Sequence, residues 1–189
     1  VWFKILPSFL GVSKRHNLLM NFLTFARAPK EAVGGIARLI NETVQRTQCI
    51  EYNMIDALLK GSGQTEGDVA MPSTDESPYP GNVNTFIISL PEMAQVLEET
   101  GGGMPEFVNP KYADETKTVF KAPARLECMM QDYALLIQDH SRVSFTKYNR
   151  IFSFAATKNS LEGAVTNAAN GLPPQSAGSN EVDFFLSNQ

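Results

Sequence analysis

The chain has 189 residues, 43% hydrophobic and 19% charged, with a mean hydropathy of −0.17. This is the composition of one soluble globular domain, not of a disordered or membrane-embedded chain. No apolar run approaches the roughly 18 to 20 residues of a spanning helix. The net charge of −4 argues against a nucleic-acid binder, which needs a basic face. The charge is uneven: residues 61–110 hold eight acids (Glu66, Asp68, Asp75, Glu76, Glu92, Glu98, Glu99, Glu106) and no Lys or Arg, which leaves the remainder net basic.

Val1 to Leu6 is a short apolar run that fits a strand. A strand interior starting on a non-methionine residue makes the chain part of a longer protein by expectation. Leu18 to Phe25 leaves helix and strand open. Gly34 to Ile40 reads as a strand ending in a polar turn, Asn41 to Arg46. Thr47 to Tyr52 reads as a strand that delivers Glu51 to its end, followed by a short helix, Asn53 to Lys60, with Asn53 as N-cap. Gly61 to Gly81 is a long stretch of Gly, Ser, Thr, Asp and Pro, and loops of that length are functional or disordered.

Pro91 to Thr100 is predicted helical, with Pro91 in the first turn, Glu92 at the positive end of the dipole and Gly101 as the stop. Pro123 to Ile137 carries the strongest periodic signal: Leu126, Met129, Met130, Tyr133, Ala134 and Ile137 fall on one face of a helix. Arg142 to Phe145 and Ile151 to Ala155 look like strands. Ser160 to Asn170 is helical, stopped by Gly171, and Asn180 to Leu186 begins a last helix. Strands alternating with helices predict an α/β sheet with helices on its faces.

Several local signals carry little chemistry. Cys49 and Cys128, 79 positions apart in apolar elements, read as reduced, buried thiols and indicate neither a disulfide scaffold nor a zinc site. His16 and His140 lack partners at metal-ligand spacing or in a triad. Gly61-Ser-Gly-Gln-Thr-Glu-Gly67 misses the spacing of both phosphate-loop fingerprints and carries an acid. Asn41-Glu-Thr43 matches a glycosylation sequon, a pattern short enough to recur by chance.

More informative are polar clusters at predicted strand ends and helix starts, where open α/β sheets gather ligand contacts. They are Lys30-Glu-Ala-Val-Gly-Gly35, Glu51-Tyr-Asn53, Pro80-Gly-Asn-Val-Asn84, Glu106-Phe-Val-Asn-Pro-Lys111, Arg125-Leu-Glu127 and Lys158-Asn159. In this order, and over nearly the whole chain, they resemble the UDP-sugar pyrophosphorylases, relatives of the UDP-glucose and UDP-N-acetylglucosamine pyrophosphorylases. The most specific strings are Glu106-Phe-Val-Asn-Pro-Lys-Tyr112 and Arg125-Leu-Glu-Cys-Met-Met-Gln-Asp-Tyr133.

The resemblance implies a glycosyltransferase-A-like, Rossmann-type mixed sheet with helices on both faces, here as a partial domain. It implies an enzyme, a nucleotidyltransferase that joins UTP and a sugar 1-phosphate into UDP-sugar and pyrophosphate with Mg²⁺, in the cytoplasm and as a monomer. It assigns Glu51 and the Asn82/Asn84 pair to the hexose, because a carboxylate accepts from two hydroxyls while an amide donates and accepts at once. It assigns Lys158 to the phosphates as the catalytic residue, a mobile point charge; the family's Ala-Pro-Val-Lys-Asn-Asn string stands here as Ala155-Ala-Thr-Lys-Asn159, a less rigid loop by expectation. Gly34 and Gly35 are implied at a close backbone approach to ligand, Lys111 at phosphate, and Glu127 either at the sugar or as a helix cap. No metal ligand is identified.

The family's glycine-rich nucleotide loop, its uracil-contacting segments and its C-terminal β-helical domain find no match here. Residues 1–189 therefore correspond to the central and later part of the catalytic domain, a piece expected not to turn over UTP alone. The alternatives are a UDP-N-acetylglucosamine or UDP-glucose pyrophosphorylase, or a non-catalytic sugar-nucleotide-binding protein.

Overall fold

Leu18 to Phe25, ambiguous by periodicity, contains the most deeply buried strand of the molecule. The computed structural model describes residues 2–108, 112–114, 116 and 118–189. In chain order its elements are α1 (Trp2–Arg15), β1 (Met20–Phe25), β2 (Gly35–Ile40), β3 (Gln45–Ile50), α2 (Tyr52–Gly61), β4 (Gly81–Ile88), α3 (Leu90–Thr100), β5 (Glu106–Val108), β6 (Leu126–Cys128), β7 (Val143–Tyr148), α4 (Arg150–Ser153), α5 (Leu161–Ala169) and α6 (Ala177–Asn188). Two 3-10 helices, Met130–Leu135 and His140–Arg142, lie between β6 and β7.

Five strands form a mixed sheet in the order β3-β2-β4-β1-β7, and β5 pairs with β6 in a separate two-stranded ribbon. Only β1 and β7 run parallel; the other pairs in the main sheet are antiparallel. All six residues of β1 are buried, since layers cover it on both sides. On one face Leu23 packs with Ile5 and Phe9 of α1. On the other, Met20 and Phe22 meet Tyr133, Ala134 and Ile137, with Met93 and Val96 of α3 packed alongside. Helix α2 closes the end of the sheet by burying Ile55 and Leu59 against Ala37 and Ile50. The expected mixed α/β sheet with helices on both faces is what forms.

Four local expectations are overturned. Val1 to Leu6 is not a strand: from Trp2 the chain is helical, and Ile5, Phe9 and Ser13 recur every four residues on its buried side, a period six residues cannot display. The predicted helix at 123–137 divides into β6 and a 3-10 helix. Leu126 and Met130, assigned to its buried face, are 69% and 50% exposed, while Gln131 is 4% exposed. Ile151 to Ala155 is not a strand, because Asn149 Oδ1 accepts from the Ile151 N–H and starts the single turn of α4. Cys128 is exposed, whereas Cys49 is buried as expected.

The helices with complete stop signals form as predicted. In α3, Gly101 adopts φ 62° at the C-cap. In α5, Ser160 Oγ accepts from the Gly163 N–H. The long loop between α2 and β4 is tied down by a buried ion pair. Arg27 donates to Asp68 Oδ2 at 2.9 Å and to the Tyr79 carbonyl at 3.1 Å, and Ser77 Oγ donates to Asp68 Oδ1 at 2.6 Å.

Candidate functional site

A cleft of about 240 Å³ opens beside the ends of β2, β3 and β4, lined by residues that include Gly34, Glu51, Asn82, Asn84, Gln131 and Lys158. Each reaches it for a local reason.

Glu51 follows β3 and is the N-cap residue of α2, one position before Tyr52 and two before the predicted Asn53. Its backbone carbonyl accepts from the N–H groups of Met54 and Ile55 at 2.9 and 3.2 Å. Its carboxylate makes no capping bond, so the side chain turns toward the cleft. There Oε1 accepts from Gln131 Nε2 at 3.1 Å.

Asn82 and Asn84 lie on β4 where its register with β1 breaks. Phe22 pairs with Phe86 and Thr24 with Asn82, so β4 advances four residues while β1 advances two. The bulge puts Asn84 at φ 59°, a left-handed conformation that asparagine tolerates better than most residues. It also separates the two amides. Asn82 is buried and satisfied by protein: its Nδ2 lies 2.8 Å from Asn84 Oδ1, 3.0 Å from Gln131 Oε1 and 3.4 Å from Cys49 Sγ, and its Oδ1 accepts from the Asn84 N–H at 3.0 Å. Asn84 is exposed in the cleft, held by Asn82 through its backbone and its Oδ1.

Lys158 reaches the cleft from the loop between α4 and α5. Its Nζ donates to the Ala32 carbonyl at 2.8 Å and lies 6.0 Å from the Phe154 ring centroid. The loop is anchored despite lacking the family's Pro-Val. The N–H groups of Lys158 and Asn159 both donate to the Gln175 carbonyl at 2.8 and 3.0 Å, and Asn180 Nδ2 donates to Thr157 Oγ1 at 2.9 Å. Gln175 Nε2 in turn donates to the buried Glu31 at 3.2 Å, and Arg150 pairs with Glu31 at 2.8 Å while resting 4.7 Å above Phe25.

The glycines serve the scaffold. A Cβ on Gly35 would sit 2.6 Å from Ile55 Cδ1, and one on Gly34 would sit 2.8 Å from Cys49 Sγ. Gly34 also lines the cleft, while Gly35 is covered by Ile55 and Tyr79. Glu127 sits on β6 opposite Phe107, two positions before Met129, the N-cap of the 3-10 helix, so it is not that helix's cap, and it stands outside the cleft lining. Lys111 lies outside the described residues. Cys49 and Phe154 also line the cleft; Gln131 was concealed because a helical pattern placed it on the polar face.

The electrostatics follow from burial. The Cys49 thiol is pushed up to about 12, first by burial and then by the negative charge of Glu51, so it stays protonated. The Asp132 carboxyl is raised above its ordinary value, first by burial and then by Glu51. Among the described residues no three His, Cys, Asp or Glu side chains gather to hold a metal ion, and no helix is long and apolar enough to cross a membrane.

No family model matches the chain. It is 42% identical over 187 residues to the UDP-sugar pyrophosphorylase of Arabidopsis thaliana, covering 98% of this chain and 30% of the relative. It is also 42% identical, over 188 residues, to the UDP-sugar pyrophosphorylase of Oryza sativa subsp. indica, with the same coverage. The chain thus spans about 30% of the length of the curated relatives it matches. Among solved structures, the uridine diphosphate N-acetylglucosamine pyrophosphorylase of Trypanosoma brucei superposes with a TM-score of 0.59 at 17% identity, over 94% of this chain and 31% of that one. The Trypanosoma brucei UDP-glucose phosphorylase reaches a TM-score of 0.50 at 20% identity, over 77% and 29%. At such identities these two speak for the fold alone.

Proposed function

We propose that this chain, homologous along 98% of its length to a part of UDP-sugar pyrophosphorylase, supplies the sugar-binding and phosphate-contacting walls of a uridylyltransferase active site. The observation that carries the reading is convergence: Glu51, Asn84 and Lys158, more than 100 positions apart at the extremes, line one cleft in a chain related to such enzymes. The reaction is transfer of uridylyl from UTP to a sugar 1-phosphate, in the cytoplasm and by a monomer.

The chemistry asks for placement and charge neutralisation more than for covalent steps. An oxygen of the sugar 1-phosphate attacks the α-phosphorus of UTP in line, a new P–O bond forms, and the bond from that phosphorus to the β-bridging oxygen breaks. Pyrophosphate leaves with the electron pair. Glu51 accepts hydrogen bonds from ring hydroxyls, and the Asn84 amide, fixed by Asn82, donates to another. Lys158 exchanges the Ala32 carbonyl for a phosphate oxygen, a stronger partner because it is charged. Among the described residues no three His, Cys, Asp or Glu side chains gather as a ligand set for the Mg²⁺ that the family resemblance implies.

Titration of the isotope-labelled chain with UDP-glucose tests the assignment. Resonances of Glu51, Asn84 and Lys158 are expected to shift together, and Lys158→Ala to weaken binding about tenfold, as loss of a charge-assisted hydrogen bond does. Absence of shifts up to ~10 mM ligand, a range far weaker than ordinary substrate binding, overturns it. Because the chain spans 30% of its relatives, it should release no pyrophosphate from UTP and sugar 1-phosphate on its own. Detectable release would overturn the assignment of a partial site.

A further inference from the structure

We propose that Gln131 is a positioning residue that fixes the geometry of the hexose-facing groups and thereby sets discrimination between sugar epimers; the inference rests on the sugar-binding reading of the cleft. Gln131 is 4% exposed and sits at the second position of the 3-10 helix Met130–Leu135. Its side chain bridges two residues distant in sequence. Oε1 accepts from Asn82 Nδ2 at 3.0 Å, across 49 positions, and Nε2 donates to Glu51 Oε1 at 3.1 Å, across 80.

The chemistry of the three partners fixes the arrangement. An ionised carboxylate only accepts, and the Asn82 amino group only donates. A side chain placed between them must donate on one side and accept on the other, which a primary amide does and a hydrocarbon, a carboxylate or an ammonium does not. The reversed amide would set two donors against each other at Asn82 and two acceptors at Glu51.

The consequence reaches both groups assigned to the sugar. Glu51 has one carboxylate oxygen engaged by Gln131, which orients the plane of the other. Asn82, held by Gln131 and Cys49, fixes Asn84 through its Oδ1 and its amide. One amide therefore sets the angle between an acceptor at the N-cap of α2 and an exposed amide from β4. Hexose epimers differ in the direction of a single hydroxyl, so this angle is what a site must hold constant to tell them apart. Sites whose polar groups are fixed by buried partners discriminate more strongly than those that can reorient.

The test measures binding of UDP-glucose, UDP-galactose and inorganic pyrophosphate to the chain and to Gln131→Leu and Gln131→Glu. Gln131→Leu is expected to lose about tenfold in UDP-sugar affinity, to bring the affinities for the two epimers together, and to leave pyrophosphate binding unchanged. Gln131→Glu keeps the size and places a second carboxyl beside Glu51, which raises its pKa. Protonated, it donates and accepts as the amide does, so affinity should return as pH falls, a response a purely structural role would not produce. If the parent chain binds no UDP-sugar, the sugar-site reading fails and the inference with it. If it binds and both variants keep its affinity and its epimer preference, the inference alone is overturned. Should Gln131→Leu not fold, the pH response of Gln131→Glu decides alone: a flat response refutes the proposal.

Discussion

Arg27 and Asp68 form an ion pair at 2.9 Å with both side chains removed from solvent. Arg27 follows β1 and Asp68 lies within the loop between α2 and β4, so the pair fastens that stretch of low-propensity chain to the sheet. Its remaining bonds, to Ser77, the Tyr79 carbonyl and the Lys30 N–H, satisfy the charges where water cannot.

Breaking that pair from one side leaves a buried charge without a partner. Arg27→Met is expected to lower stability by about 3 to 5 kcal/mol, read from the urea midpoint. Limited proteolysis should then cut first within residues 61–81. A variant as stable as the parent would show that the loop is held by other contacts.

The two thiols should separate kinetically. At pH 8 a disulfide reagent is expected to modify Cys128, which is exposed, and to spare Cys49 until the chain is unfolded. Cys49 also gives stability a pH dependence with a definite sign. Its pKa is raised from 9.0 to about 12 in the folded chain. Between those values the unfolded chain has released the proton and the folded chain has not, so stability falls as pH rises from 9 toward 12. Cys49→Ala should flatten that part of the profile.

Glycine positions divide by the space around them. A methyl group at Gly81 would lie 2.7 Å from the ring of Phe25, which itself stacks on Phe154 at 4.5 Å, so the ring has nowhere to retreat. Gly81→Ala should cost about 1 to 3 kcal/mol. Gly61, at the end of α2, has nothing within 4 Å, and Gly61→Ala should stay within about 0.5 kcal/mol of the parent. Thermal melts of the pair check the contrast.

Backbone and ligand roles of Asn84 can be told apart by substitution. At φ 59°, Asn84→Gly should keep the fold, whereas a β-branched Asn84→Val should cost about 1 to 2 kcal/mol. Both should weaken UDP-glucose binding, since both remove the exposed amide. If Asn84→Gly binds as tightly as the parent, Asn84 serves the bulge alone.

Much of this protein was open to reading residue by residue. Helix α3 between Pro91 and Gly101, helix α5 between Ser160 and Gly171, and strands β2 and β3 are each specified by caps, stops and alternation within a few positions. Glu51, Asn82, Asn84, Gly34 and Lys158 were identifiable from strings and their order, and they share a cleft. The long segment at 123–137 misled because three and four-residue spacing of apolar side chains also arises when a strand runs into a 3-10 helix.

The unequal charge noted at the outset shows where local reading ends. Three of the eight acids in that span pair with bases outside it, Asp68 with Arg27, Glu76 with Lys147 and Glu92 with Arg142, pairings that composition does not reveal. The sequence alone determined the elements with strong local signals and the residues able to do chemistry, because propensity, capping and functional groups reside in single residues and their near neighbours. Tertiary structure decided which of them meet: Gln131 between Glu51 and Asn82, Asn82 behind Asn84, Arg27 on Asp68. Those contacts join positions dozens of residues apart, and they are selected by the need of each buried donor, acceptor and charge to find a partner once water is gone.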